Sequence, residues 1–251
     1  MVPTASGGTV EVPAGRGYFK KKGFFMTAES VLLEQSMDAK GRSLLYRIIA
    51  SLYLKEASAD TLHILSMKDV AEALGGLGAD MGKFSAPADD TGLKRLLDEL
   101  AEEYAALFIL PGGVSPYESV RLKGLLCQGP EWQVREFYEK FGVKMRKDSN
   151  IFCDHIGMEF DFMSYLSGKE SAALSAKDEA DASRWQAAQR EFFSGHINKL
   201  AQGFLDELDK CAFHPFYKEV SSLTRKFIQM EGEELLELEP ADGQPEEAFP
   251  V

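Results

Sequence analysis

Residues 93–108 read LKRLLDELAEEYAALF, and they form the most regular hydrophobic pattern of the chain. Apolar side chains recur at the i, i+3, i+4 and i+7 spacing of a single helix face, which predicts an amphipathic α-helix. These side chains are Leu93, Leu96, Leu97, Leu100, Tyr104, Leu107 and Phe108. Pro111, Gly112 and Gly113 follow directly, and because proline and glycine disfavour helix interiors, we expect the helix to end there.

Similar helical spacing returns along most of the chain, whereas no stretch alternates with the period of two that marks a strand. The further patterns cover residues 44–53, 67–74, 130–141, 154–166, 185–208 and 216–228. The sequence therefore predicts an all-α fold, a single-domain helical bundle of about 9–11 helices. We expect this domain to span residues 27–230, between a flexible N-terminal extension (residues 1–26) and an acidic, disordered tail (residues 231–251).

The composition limits the classes of partner. The formal net charge is −12, and an acidic protein is a poor ligand for nucleic acid. No apolar run approaches the roughly 18 residues needed to span a bilayer, which argues against an integral membrane segment. The three cysteines, Cys127, Cys153 and Cys211, form no metal-binding pair and leave an odd thiol, so the expected location is the reducing cytoplasm.

Two stretches combine aromatic, acidic and imidazole side chains. The first continues from the opening helix into a loop that contains Pro116, Tyr117 and Glu118. The second, residues 153–166, reads CDHIGMEFDFMSYL, and Asp154 stands where the N-cap of the following helix is expected. In the opening helix we expect Leu107 and Phe108 to belong mainly to the core, while the Tyr104 hydroxyl requires a hydrogen-bond partner.

Two functional hypotheses can be stated for these residues from their chemistry alone. His155 and Glu159 lie four residues apart on a helix face, so they could share a metal ion in a metal-dependent hydrolase, although such a site needs further ligands. The second hypothesis is a structural helical adaptor without a peptide groove. Catalysis by a serine nucleophile has no support, since no GxSxG motif is present.

Several of these residues resemble the cytoplasmic chaperones that mature molybdenum-containing oxidoreductases, the TorD/DmsD/NarJ-like group. The similar segments are Tyr104-x-x-Leu107-Phe108, then residues 116–120 (PYESV), then Asp154-His155-Ile156 leading into Glu159 and Phe160. Weaker similarities bring the resemblance to roughly residues 40–230. The order and spacing of these motifs make the combination more specific than any one of them.

The resemblance implies binding and no catalysis. Members of this family bind the twin-arginine leader and the apo catalytic subunit of a molybdenum oxidoreductase, and they assist cofactor insertion before export. The client carries the molybdopterin, so no cofactor of the chaperone is expected, although weak guanine nucleotide binding is an option within the family. The family also implies a monomer or a domain-swapped homodimer.

The resemblance also implies a peptide-binding site. Its expected residues are Tyr104, Leu107, Phe108, Pro116, Tyr117, Glu118, Asp154, His155 and Glu159. We expect aromatic side chains to form an apolar wall, Glu118, Asp154 and Glu159 to meet the two arginines, and His155 to order the loop. The family often has a Glu-Pro pair two residues before Asp-His, whereas this chain has Ile151 and Phe152 there, so a carboxylate proposed for peptide contact is missing.

Overall fold

The computed structural model describes residues 27–87, 89–145 and 150–236, and within these ranges the chain forms ten α-helices and no strand. This confirms the predicted all-α fold. The helices are α1 (Ala28–Leu54), α2 (Ala59–Ser66), α3 (Lys68–Gly76), α4 (Asp90–Phe108), α5 (Glu118–Lys123), α6 (Gly129–Lys140), α7 (Ile156–Ser175), α8 (Glu179–Phe192), α9 (Asn198–Cys211) and α10 (Pro215–Leu236). A 3₁₀ turn (Met81–Phe84) precedes α4, and a π-helical turn (Phe193–Ile197) joins α8 to α9.

Helices α1 and α7 pack closely and run antiparallel. Ser36 and Ser171 exchange hydroxyl-to-carbonyl hydrogen bonds of 3.0 and 2.8 Å, and Ser43 and Ser164 do the same at 2.7 and 2.8 Å. At the far end, a Cβ atom on Gly157 would lie only 2.7 Å from the Cγ atom of Leu54. Small side chains therefore let the two backbones approach, and they fix the start of α7 against the end of α1.

Aromatic side chains fill most of the space between the helices. One group surrounds Phe162 of α7, whose ring lies 4.2 Å from that of Tyr138 and 4.9 Å from that of Phe192. A second group surrounds Phe108 at the end of α4, 5.9 Å from Tyr53. Because rings bury large apolar areas and prefer edge or offset contacts, these groups hold the helices in register.

A buried ionic network ties four helices together. Arg42 of α1 is 2% exposed; its guanidinium forms an ion pair with Glu170 of α7 and lies 3.6 Å from a carboxylate oxygen of Glu231 in α10. It also donates a 2.9 Å hydrogen bond to Gln189 of α8, and Tyr46 donates to Glu231 at 2.9 Å. The guanidinium of Arg42 therefore pairs with carboxylates from two other helices.

The structure changes one predicted boundary. Helix α10 continues to Leu236, and Glu231 and Leu235 are buried, so the expected start of a disordered tail at residue 231 is wrong by at least six residues. Arg42 and Tyr46 hold Glu231 in the core, and both residues lie far from Glu231 in the sequence. The expected N-terminal extension and the remainder of the tail, from residue 237, lie outside the described residues.

Helix α1 is longer than the pattern of residues 44–53 indicates. It is continuous through Gly41, and Leu44, which the periodicity places with the core-facing residues, is 54% exposed. Among the helices in the described ranges, none is both long and apolar enough to cross a membrane.

Candidate functional site

Two loops meet directly at the start of α5 and α7. Their backbones form an antiparallel bridge between Tyr117 and His155, with hydrogen bonds from the Glu118 amide to the Asp154 carbonyl (2.9 Å) and from the Ile156 amide to the Pro116 carbonyl (2.8 Å). We call residues 116–119 and 152–156 the loop pair. The structure therefore brings together the two stretches that the sequence singled out.

Asp154 has a different role from the one predicted. The N-cap of α7 is His155, whose Nδ1 atom accepts a 3.0 Å hydrogen bond from the Gly157 amide. Asp154 instead accepts a 2.9 Å hydrogen bond from the Ser119 amide, in the first turn of α5. Because its carboxylate satisfies a backbone donor of the other loop, Asp154 connects the two halves of the loop pair.

The three carboxyl groups expected to meet arginines are all buried. Glu118 is 2% exposed, and Asp154 and Glu159 are fully buried. Burial raises the pKa of Asp154 despite its hydrogen bonds with Ser119, and burial followed by the charges of Glu118 and Asp154 holds the pKa of Glu159 well above its ordinary value. In this conformation these groups cannot contact a bound peptide, so their predicted part in direct contact does not fit the geometry.

Further polar residues form hydrogen bonds with the loop pair from other elements of the fold. The sequence patterns did not assign these residues to the site. His196, in the π-helical turn, lies with its Nδ1 atom 2.9 Å from a Glu118 carboxylate oxygen. Tyr138 donates to the carbonyl of Cys153 at 3.2 Å, and the Cys153 thiol donates to the Glu131 carbonyl at 3.3 Å. A π turn shifts the direction of side chains along a helix, which no hydrophobic spacing reveals.

The burial of His155 determines the protonation state of its ring. Burial lowers the pKa of His155 to about 4, so the ring is neutral near pH 7 and its Nδ1 atom can accept the Gly157 amide hydrogen bond. His155 therefore orders the start of α7, which agrees with its expected loop-ordering role.

The predicted wall residues of α4 lie mainly in the core. Leu107 is buried, Phe108 is half-buried among aromatic rings, and Tyr104 is 8% exposed. The Tyr104 hydroxyl donates a 3.0 Å hydrogen bond to the Tyr53 carbonyl. Burial, with a contribution from Tyr117, raises the pKa of Tyr104 to about 12. Tyr104 therefore supports the site from within, and its hydroxyl already has a partner.

Exposed apolar side chains lie beside Tyr117 or follow it closely in the chain. The half-buried Tyr117 ring lies 5.1 Å from His155 and 6.0 Å from Phe152, and the charge of Cys127 contributes to the raised pKa of Tyr117, after burial and Asp154. Exposed leucines follow Tyr117 closely in the chain, in α5 and directly after it. We call the exposed side chains here, together with Tyr117, the apolar rim: Leu122 (46% exposed), Leu125 (65%), Leu126 (45%) and Phe152 (36%).

An exposed carboxylate follows the last turn of α1. Glu56, which follows α1, is exposed, and its charge raises the pKa of both Tyr104 and Tyr217, after the larger effect of burial. Leu54, two residues before Glu56, lies against Gly157 at the start of α7, so Glu56 is at the end of α1 that meets the loop pair. A single glutamate in a short linker carries no sequence signal that would have identified it.

The geometry gives little support to the metal-dependent alternative. The Nδ1 atom of His155 is occupied by the Gly157 amide, and Glu159 lies beside other buried carboxyls. Within residues 27–87, 89–145 and 150–236, no group of three or more histidine, cysteine, aspartate or glutamate side chains could hold a metal ion.

A separate cleft of about 350 Å³ lies between α9 and α10. Its walls carry mostly amide and aliphatic groups, with one arginine: Asn198, Ala201, Gln202, Leu205, Arg225, Ile228, Gln229 and Gly232. Arg225 is already paired with Asp206 and Asp209 at 3.0 and 2.7 Å. No residue of this cleft belongs to the predicted site.

Comparison with known proteins identifies the family. The family model described as "Nitrate reductase delta subunit" matches residues 67–206. The chaperone protein TorD of Vibrio cholerae is 29% identical over 201 residues, which covers 76% of this chain and 90% of that protein. The chlorate reductase assembly chaperone protein of Ideonella dechloratans is 31% identical over 115 residues (45% of this chain, 58% of the relative).

The selenate reductase assembly chaperone protein of Thauera selenatis is 32% identical over 103 residues, covering 40% of this chain and 52% of the relative. These relatives are chaperones and not enzymes, which confirms the prediction of a non-catalytic protein. The matched region contains α4, the loop pair and α7. The chain therefore belongs to the nitrate reductase delta subunit family, which includes the TorD chaperones.

Proposed function

We propose that this protein is an assembly chaperone that binds the twin-arginine leader and the apo catalytic subunit of a molybdenum oxidoreductase in the cytoplasm, and that it assists insertion of the client's molybdopterin before export. Its family membership and its similarity to assembly chaperones of two reductases support the chaperone role. Within the client, the leader is the segment that best fits the surface of the loop pair.

The observation that carries this proposal is the combination of the apolar rim with Glu56. A twin-arginine leader presents two arginines followed by an apolar segment. Glu56 offers an exposed carboxylate for a charge-assisted hydrogen bond with arginine. Phe152, whose ring lies 6.0 Å from that of Tyr117, and Leu125 and Leu126 offer exposed apolar area, against which the apolar segment would pack.

The buried members of the predicted site hold this surface in place. Asp154 accepts the Ser119 amide, and Glu118 is paired with His196. Both contacts cross between elements far apart in the sequence, so they fix the position of Tyr117 between them. In this proposal Glu118, Asp154, His155 and Glu159 are positioning residues, whereas Tyr117, Glu56 and the apolar rim touch the leader.

Calorimetric titration with twin-arginine leader peptides from the molybdenum oxidoreductases of the native host tests the proposal. We expect Glu56→Gln to weaken binding by roughly tenfold or more, since a charged hydrogen bond contributes about 1.5–3 kcal/mol. Tyr117→Ala should weaken binding by at least about tenfold, because it removes the aromatic centre of the surface. Asp154→Asn, which keeps an acceptor for the Ser119 amide, should leave the affinity within about threefold.

Leu33→Ala is a matched control, because it removes an exposed leucine from α1 about 30 Å from the contact of Leu54 with Gly157. The control should bind like the wild type. If no leader peptide binds the wild-type protein, the leader-binding part of the proposal is wrong and a structural adaptor gains support. A large loss with Asp154→Asn alone would instead return direct arginine contact to the buried carboxylate.

A further inference from the structure

Helix α1 exposes an apolar seam on the face that points away from α7. Leu33 is 61% exposed, Met37 60% and Leu44 54%. These exposures are high for three large apolar side chains on one helix, and the helix is otherwise well buried through residues such as Tyr46 and Ile49. Exposed apolar side chains grouped on one face commonly mark an interaction surface.

The seam has the spacing of a coiled coil. Successive steps of four, three, four and three residues connect its members, which we call the α1 seam: Leu33, Met37, Lys40, Leu44 and Arg47. This is a mean period of 3.5 residues, the repeat that keeps one helix face against a partner helix. Gly41 lies beside the seam, and apart from its own turn of the helix nothing comes within 4 Å of the place where a Cβ would stand, so a second backbone has room to approach there.

The charges on α1 indicate the partner. Glu34 lies in the first part of the helix with Glu29, which also pairs with Lys177 of its own chain at 2.6 Å, whereas Lys40 and Arg47 lie in the second part. A parallel pair of such helices would set Lys40 and Arg47 against the same residues of the other copy. An antiparallel pair would instead set the acidic half of each helix against the basic half of the other.

The apolar positions fit the same antiparallel arrangement. When Leu33 stands opposite Leu44 of the partner subunit, the two-fold axis brings Leu44 opposite Leu33 of the partner subunit. Met37 then packs along the stem of Lys40 of the partner subunit. Such an arrangement is self-complementary and closes after two copies, as a two-fold dimer requires.

We propose that the α1 seam is the interface of an antiparallel homodimer of this chain. The interface leaves each chain's own helices in place, so it differs from a domain-swapped dimer. It also leaves the loop pair free, because the contact of Leu54 with Gly157 lies at the other end of α1. We expect a dissociation constant on the order of 10 μM, since one helix pair buries less than the about 1,600 Å² of a standard interface.

Sedimentation velocity of the full chain over a concentration series tests this dimer. The wild type should shift from monomer to dimer as the concentration increases. Leu44→Glu places a carboxylate opposite Leu33 and near Glu29 and Glu34 of the partner subunit, and Leu33→Lys places a base opposite Leu44 and near Arg47 of the partner subunit. Each variant alone should weaken dimerisation by at least tenfold.

A mixture of the two variants discriminates the antiparallel arrangement. Leu33→Lys and Leu44→Glu should form a heterodimer, because the new lysine and the new glutamate face one another. Ile64→Glu, at a 43% exposed position of α2, is the matched control and should dimerise like the wild type. A wild type that stays monomeric at the highest concentration, a dimer unaffected by Leu44→Glu, or a mixture without heterodimer would overturn the proposal.

Discussion

Arg42→Met should lower the free energy of unfolding by about 3–5 kcal/mol near pH 7, because it leaves the buried carboxylates of Glu170 and Glu231 without their cation. Methionine fills a similar volume, so the loss reports the charge and its hydrogen bonds more than a cavity. Urea denaturation at pH 7.5 measures it. A loss of this size is a large fraction of the stability of a typical domain.

The pH dependence of this loss has a definite sign. Burial raises the pKa of Glu231, and Arg42 opposes that increase. Without Arg42 the folded-state pKa of Glu231 rises further above its unfolded value, so folding binds a proton and stability falls as the pH rises above about 4.5. The deficit of Arg42→Met should therefore be smaller at pH 5 than at pH 7.5.

Arg95→Met is the control for Arg42→Met. Arg95 is 81% exposed and pairs with Glu99 on the helix surface, so its loss should change the stability by less than about 0.5 kcal/mol. Equal stability of wild type and Arg42→Met at pH 7.5 would show that the buried network does not hold α1, α7 and α10 together.

Glu159→Gln should increase the stability near pH 7 by about 1–3 kcal/mol. The pKa of Glu159 in the folded protein lies well above its ordinary value, because the side chain is buried and stands near Glu118 and Asp154. Stability gained from its neutral form is complete below about pH 4.5 and is lost as the pH rises towards the folded-state pKa. Glutamine is neutral throughout, so it removes this cost, each pKa unit corresponding to about 1.4 kcal/mol.

Denaturation at pH 7.5 and pH 4 measures the effect of Glu159→Gln, and the gain should disappear at pH 4. Asp161→Asn is the matched control, since Asp161 is exposed on the same helix and should change the stability by less than about 0.5 kcal/mol. A variant less stable than the wild type at pH 7.5 would mean that an ionised Glu159 stabilises the fold, contrary to its position beside two other buried carboxyls.

The sequence predicts most of the helices because their signals are local. The pattern from Leu93 to Phe108 depends on neighbours three or four residues apart, and it matches α4, which spans Asp90–Phe108. The break at Pro111 and the helix start near Pro130 follow from backbone chemistry in the same way. Such features need no knowledge of which elements meet.

The site is harder to predict because its contacts span long separations. Asp154 looks like the cap of its own helix, but its carboxylate accepts the Ser119 amide 35 residues away. Glu231 reads as part of an acidic tail, whereas Arg42 and Tyr46 of α1 draw it into the core. Leu44 fits a core-facing period, but periodicity does not say which face of a helix meets the rest of the bundle.

The carboxyl groups of the loop pair illustrate the same limit. The motifs predict that Glu118, Asp154 and Glu159 lie close together. In the structure, the two loops that carry these motifs are hydrogen-bonded to each other. Their burial depends on His196 and Tyr138, which lie far from them in the sequence. The exposed groups that remain for a client include Glu56, Leu125 and Leu126, which belong to none of these motifs.

Amide hydrogen exchange with and without a bound leader peptide tests most directly whether the surface of the loop pair receives the client leader. We expect protection on binding to concentrate in residues 117–128 and 150–157 and around Glu56. Protection centred on the cleft between α9 and α10, at residues 198–205 and 225–232, with no change in the loop pair, would contradict the account.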